Sequence, residues 1–235
     1  MSAAGARHAY EANRARIASL WAEARPVSQG DAAGRFLLRS GAAAQGGAWP
    51  PALRLHPALG YWHMQAGGQA ACLGRFPALL ALLETGACPL GAGCVPAPHA
   101  VALQRTYLAA DGALAPVPAP VKLTGKAGPA LGACARLAPV DPERSALGMA
   151  VGIATALRIA RAARMPVWAV PDAHALAHAR WPRGLRSLHV FVDARDPAQW
   201  QGAAELARKA SACGLQAFTM EADLAPAFQP TATRL

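Results

Sequence analysis

The 235-residue chain predicts an α/β fold in its C-terminal half, a parallel sheet flanked by helices, preceded by an α+β domain with antiparallel strands. Three observations carry this reading. From "SALGMAV" onward, short apolar runs alternate with helical segments, which is the pattern of βαβ units whose sheet is covered on both faces. Earlier in the chain, strand-like runs follow one another without intervening helices, and Asp111-Gly112 is a hairpin turn signal between two of them. At the N-terminus, Ile17, Leu20, Trp21 and Ala24 recur at helical spacing.

The elements follow in order. A helix is expected from about Ala9 to Ala24, ended by Pro26. Asp31 caps a second short helix that stops at Gly41. "GGAWPPALRLHP" reads as loop and turn, followed by a short extended segment at Leu53 to His56. "GYWHMQ", "AACLGRF" and "AVALQRTYLAADGALA" read as antiparallel strands, and the Pro- and Gly-rich "APVPAPVKLTGKAGPA" as an irregular crossing. Turn residues and charge gather in "PVDPERS", so the boundary falls near Pro139 to Ser145, giving domains 1–140 and 141–235. Beyond it come strand "SALGMAV", helix "ATALRIARAAR", strand "MPVWAV" and a short helix opened by Asp172. Strand "LRSLHVFVD", a helix closed by Gly214 and strand "LQAFTME" complete the series.

Composition narrows the function. Hydrophobic residues make up 54% and charged residues 15%, which sets disorder aside. The formal charge of +10 points to a polyanionic partner, most often nucleic acid. Arginine outnumbers lysine, 20 of the 23 basic residues, so genomic base composition is a competing source of that charge. Between Asp31 and Asp111 the only acid is Glu84, so a surface built there carries positive potential. Five cysteines, an odd number without a CxxC pair, argue against a disulfide framework and for a reducing cytoplasm. Cys88, Cys94 and His99 match no standard finger and lack a fourth ligand, so zinc is not expected. The charged N-terminus does not read as a signal peptide. Phe76 to Gln104 is broken by prolines and Glu84, so no spanning helix and no membrane partner are expected.

One stretch carries a narrower reading. In "LGMAVGIATAL", Leu147, Gly148, Gly152, Ile153, Thr155, Ala156 and Leu157 match the first strand and helix of Toprim-containing primase-like proteins of phages, plasmids and integrative elements. "MPVWAV" resembles their second strand, and "WPRGLRSLHVFVDARDPAQWQGAAELARKASACGLQA" the segment with their metal-binding aspartates. Upstream, "ASLWAEARPV", "GRFLLRSG", "ALRLHP", "QRTYLAADG" and "ARLAP" resemble pieces of the domain that precedes Toprim in this group, so the likeness covers nearly the whole chain. It implies a Toprim fold, Mg²⁺-dependent nucleotidyl transfer and a role in DNA replication.

The chain departs from that pattern where the chemistry sits. Val151 stands where the family has its glutamate, and Ala154 where a second acid stands. Valine neither moves a proton nor holds a divalent ion. The resemblance assigns Asp193 and Asp196 as metal ligands, but they are separated by two residues rather than one, and Arg195 adds positive charge between them. They face one side only if the chain turns after Asp193. Mg²⁺ is therefore a doubtful ligand unless another acid, such as Asp172 or Glu205, compensates.

The expected function is a non-catalytic nucleic-acid-binding accessory protein of replication in a mobile element. An active Mg²⁺-dependent primase and a protein-interaction module are the alternatives. Single-stranded DNA is the expected ligand, and a helicase or other replication protein a further partner. Phosphate contacts are assigned to Arg54, Arg75, Arg105, Lys122, Lys126, Arg180, Arg183, Arg186 and Arg195. Tyr61, Trp62, Tyr107 and Trp181 can stack on bases or fill the core, and His174 and His178 share one helical face.

Overall fold

The computed structural model describes residues 3–44, 46–85, 88–91 and 100–222. Cys94 and His99 lie outside them. The first half contains α1 (Ala3–Glu23), β1 (Arg25–Pro26), α2 (Ala32–Arg39), β2 (Leu53–Met64), β3 (Ala70–Glu84), β4 (Ala100–Tyr107) and β5 (Val121–Leu123). The second contains β6 (Ala146–Val151), α3 (Ile153–Ala163), β7 (Val167–Val170), α4 (Ala173–Ala177), β8 (Ser187–Asp193), α5 (Pro197–Ala212) and β9 (Gln216–Ala222). The five-stranded sheet is antiparallel in the order β1-β2-β3-β4-β5, and the four-stranded sheet is parallel in the order β7-β6-β8-β9. The fold class is the expected one.

The second half of β3 is covered on both faces, which is why Ala78 to Leu83 are apolar without a break. Ala78, Leu80 and Leu82 pack with Ile17, Leu20 and Trp21 of α1. Leu79, Ala81 and Leu83 pack on the other face, in the same cluster as Leu37 of α2 and Ile153, Leu157 and Ala160 of α3. Period-two alternation between two apolar layers leaves no polar face. The short strand expected at "AACLGRF" therefore runs on through Pro77 to Glu84. The pairing of β2 with β3 slips at His56/Leu59, where β2 has one residue more than its partner. That bulge moves Leu59 and Tyr61 to the α1 face, whereas Leu53 and Leu55 face α3.

Two further expectations change. The Pro- and Gly-rich crossing contains the edge strand β5, paired with β4 through Arg105↔Lys122. Asp111-Gly112 does form a tight turn, with Ala109 N–H donating to Ala113 O, and beyond β4 the hairpin continues as the isolated bridge Leu108↔Leu114.

The strip Cys134 to Arg136 stitches the halves together. Cys134 exchanges backbone hydrogen bonds with Glu84 at the end of β3, and Ala135 does the same with Ala169 in β7. Beside the strip, Arg136 Nη1 lies 3.1 Å from Glu84 Oε2, with side chains only 12% and 6% exposed. The guanidinium also covers the Trp168 ring at 5.2 Å. Cys134 is fully enclosed there, and burial pushes its thiol up to about 12. Glu84, the lone acid of the basic span, thus serves the junction between the two sheets.

Removing one member of this pair strands a buried charge. Arg136→Leu is expected to lower unfolding free energy by about 3–5 kcal/mol, read from urea melts. Glu84→Leu/Arg136→Leu should recover much of that loss; a double variant no better than the single would show the pair is not the source.

Candidate functional site

The ends of β6 and β8 place the candidate residues. Gly152 caps α3 with φ +88°, a left-handed backbone that favours glycine, and so turns the chain sharply from strand to helix. Val151 is the last residue of β6 and packs against the cluster containing Met149, Val170 and Val192. Asp193 is the last residue of β8, one past Val192, so the strand's pleat sets it towards the opposite face.

The chain turns immediately after Asp193, with Asp196 N–H donating to Asp193 O at 3.0 Å. The two carboxylates nonetheless have different partners. Asp193 Oδ1 accepts from Arg195 N and Nε at 3.0 and 3.2 Å, and Oδ2 from Arg195 Nη2 at 3.3 Å. These hydrogen bonds hold the Asp193 carboxyl below the usual carboxylate range. Asp196 is the N-cap of α5: Oδ1 accepts from Ala198 N and Gln199 N at 3.0 and 3.2 Å, and Oδ2 from Gln199 Nε2 at 2.9 Å. Gln199 Oε1 also accepts from Asp193 N–H at 3.1 Å, joining the two aspartates through one amide. Gln199 is the residue that sequence reasoning missed. Its signal was present, because Asp196-Pro197-Ala198-Gln199 carries the spacing of a helix capping box.

Residues 11–137, more than half of the chain, match the family described as a domain of unknown function (DUF7146), and residues 146–229 match the Toprim domain. This chain is a Toprim-domain protein of the DUF7146 family. No curated protein and no solved structure gives a match.

A Toprim domain implies Mg²⁺ held by carboxylates, and the residues of this Toprim edge do not fit that ion. All four oxygens of Asp193 and Asp196 accept hydrogen bonds, and the Arg195 guanidinium, 3.2 Å from Asp193 Oδ1, sets a positive charge beside the pair. A hard cation needs several free oxygen ligands. Among the described residues, no group of three or more His, Cys, Asp or Glu side chains is placed to hold a metal. The two acids considered as substitutes are engaged as well. Asp172 caps α4 by accepting from Ala175 N–H at 2.7 Å, and Glu205 pairs with Lys209 at 2.6 Å on α5. The His174 and His178 rings lie 4.7 Å apart and tilted by 47°, with His178 Nδ1 donating to His174 O.

The nine basic residues separate into groups. Arg54 donates to the Trp21 and Ala24 carbonyls at the C-terminal end of α1 and lies 4.8 Å over the Trp21 ring. Arg105 contacts Tyr107 Oη and the Leu123 carbonyl, and burial lowers its pKa. Lys122 donates to Trp62 O and sits 3.9 Å over the Tyr61 ring. These three hold the antiparallel half together. Arg75, Lys126, Arg180, Arg183 and Arg186 are exposed, and Arg195 is exposed while paired with Asp193. Arg195 lies at the carboxyl end of β8, whereas Arg180, Arg183 and Arg186 precede its first residue. Seven residues of strand separate the two groups by roughly 20 Å, so the four arginines do not line one crevice. Of the aromatics, Tyr61 and Tyr107 are fully buried and pack edge to face at 5.0 Å, which leaves Trp62 and Trp181 reachable from solvent.

Asp196→Ala is expected to destabilise the fold by about 1 kcal/mol through loss of the cap, measured by chemical denaturation. Asp193 has a folded pKa below its unfolded one, so its contribution is present above the ordinary carboxylate pKa and fades as pH falls through the folded value. Arg195→Gln should raise the Asp193 carboxyl pKa towards its ordinary value in an NMR titration; no movement would show that Arg195 does not set it.

Proposed function

We propose that this protein is a nucleic-acid-binding accessory protein of DNA replication in a mobile element, derived from a Toprim primase and without phosphoryl-transfer activity. On this reading residues 1–140 form the primase-like N-terminal domain and residues 141–235 a Toprim-like domain whose active site has degenerated. The observation that carries it is the occupation of the catalytic edge: Val151 packs against the core, Arg195 neutralises Asp193 and Asp196 caps α5. No side chain at those three positions is free to shuttle a proton or share an ion. Binding to a polyanion is supported by the net charge of +10 and by the exposed Arg75, Lys126, Arg180, Arg183 and Arg186. Single-stranded DNA suits the solvent-facing Trp62 and Trp181, since base stacking needs an open aromatic face.

A second reading has its own support. Trp62, Met64 and Leu73 on the β2–β3 hairpin and Val121 and Leu123 on β5 are exposed, and apolar side chains grouped this way suit a protein partner such as a helicase.

The full chain is expected to bind a single-stranded oligonucleotide with an affinity that falls steeply with salt, by a log–log slope of about 0.7 per phosphate contact. The affinity should be the same in Mg²⁺ and in EDTA, with no primer made from a template and nucleotides. Divalent-dependent primer synthesis that Asp193→Ala abolishes would overturn the non-catalytic reading. Salt-insensitive binding would overturn the electrostatic one.

A further inference from the structure

The loop between α4 and β8, the last turn of α5 and the segment near residue 130 enclose a cleft of about 820 Å³. That size falls within the roughly 300–1,000 Å³ of small-molecule sites. It lies where β8 and β9 begin, at the opposite end of the parallel sheet from Val151 and Asp193. Leu131, His178, Arg180, Trp181, Arg183 and Lys209 line it, and among the described residues no acidic side chain does.

Three features suit this cleft to one kind of ligand. Arg180 and Arg183 are exposed, and no ion pair or hydrogen bond of either guanidinium is found among the described residues. Two guanidiniums three residues apart on a loop can fork around one phosphate. Between them Trp181 rests one side on the cluster beneath the sheet and leaves part of its ring open to the cleft, a platform for a planar group. Lys209 adds a cation, though Glu205 holds it at 2.6 Å and it also donates to Ala177 O. The Glu205 carboxylate is therefore neutralised where it could repel an anion.

The cleft is also held in shape. Arg183 N–H donates to Cys88 O, and Pro89 bridges to Arg183, which fixes the loop's course. On the other wall Gly132, at φ +74°, comes so close to the His178 carbonyl that a Cβ would lie 1.8 Å from its oxygen. Only glycine brings the segment from the first half against α4 in this way.

We infer that this cleft is a nucleoside-phosphate site, with the phosphate between Arg180 and Arg183 and the base against Trp181. Such a group could be a free nucleotide or one nucleotide of a single strand. The inference does not rest on the accessory-protein reading, since the cleft lies away from the catalytic edge.

The test is titration calorimetry on the full chain with deoxyadenosine 5′-monophosphate, deoxyadenosine, inorganic phosphate and a short single-stranded oligodeoxynucleotide. The nucleotide is expected to bind more tightly than either the nucleoside or phosphate. Arg180→Gln/Arg183→Gln should weaken it by at least about tenfold. Arg7→Gln/Arg161→Gln, which removes the same charge elsewhere, should not. Trp181→Leu should remove the advantage of nucleotide over phosphate. If the arginine variant also weakens the oligonucleotide, the occupant belongs to a strand; if only the mononucleotide is affected, it is free in solution. Either result supports the site. Unchanged nucleotide affinity in Arg180→Gln/Arg183→Gln overturns it, even if the oligonucleotide still binds and the accessory reading survives. Equal affinity for nucleotide and phosphate overturns the base contact.

Discussion

The strip from Cys134 to Arg136 is the constraint on which the rest of the molecule depends. Two backbone bridges tie it to β3 on one side and β7 on the other, and the Glu84–Arg136 pair closes over it. Charges taken out of water demand both a partner and good geometry, so the pair tolerates few arrangements of the two sheets. With the sheets fixed, α3 has a defined place against Leu79, Ala81 and Leu83, and one hydrophobic cluster takes residues from both halves. The cleft beside Trp181 inherits its second wall from the same constraint, because Leu131 and Gly132 lie just before the strip.

At the carboxyl edge of the parallel sheet, local bonding settles what each polar side chain does. Gly152 makes the sharp turn from β6 into α3, and the chain turns again after β8. An unpartnered carboxylate at the start of a helix has four backbone N–H groups within reach, and Asp196 uses two of them. Asp193 takes the guanidinium two residues on. Each bond is local and modest, yet together they give each carboxylate its own set of partners instead of one shared ligand.

Local signals in the chain were legible where the physics is local. The caps Asp31 and Asp172 sit at the helix starts their residue types favour, and the helices and parallel strands of the second half follow their apolar spacing. Less legible was the length of β2 and β3, since a strand buried on both faces has no polar alternation to mark its ends, and Pro77 reads as a break. Basic residues were the least legible. Arg54, Arg105 and Lys122 resemble phosphate ligands in composition, but carbonyls and aromatic rings inside the sheet claim them.

By itself the sequence determined the order of elements, the fold class of each half, the likeness to Toprim and the valine at position 151, because these follow from spacing and residue type along a single segment. Only the tertiary structure decided that Glu84 and Arg136, 52 positions apart, share one buried contact. It alone paired Arg195 with Asp193 and set Arg180 and Arg183 on a cleft with Trp181. The reason is that charge and hydrogen bonding act through space, so a polar group's role depends on which distant carbonyl, ring or carboxylate the packed chain brings beside it.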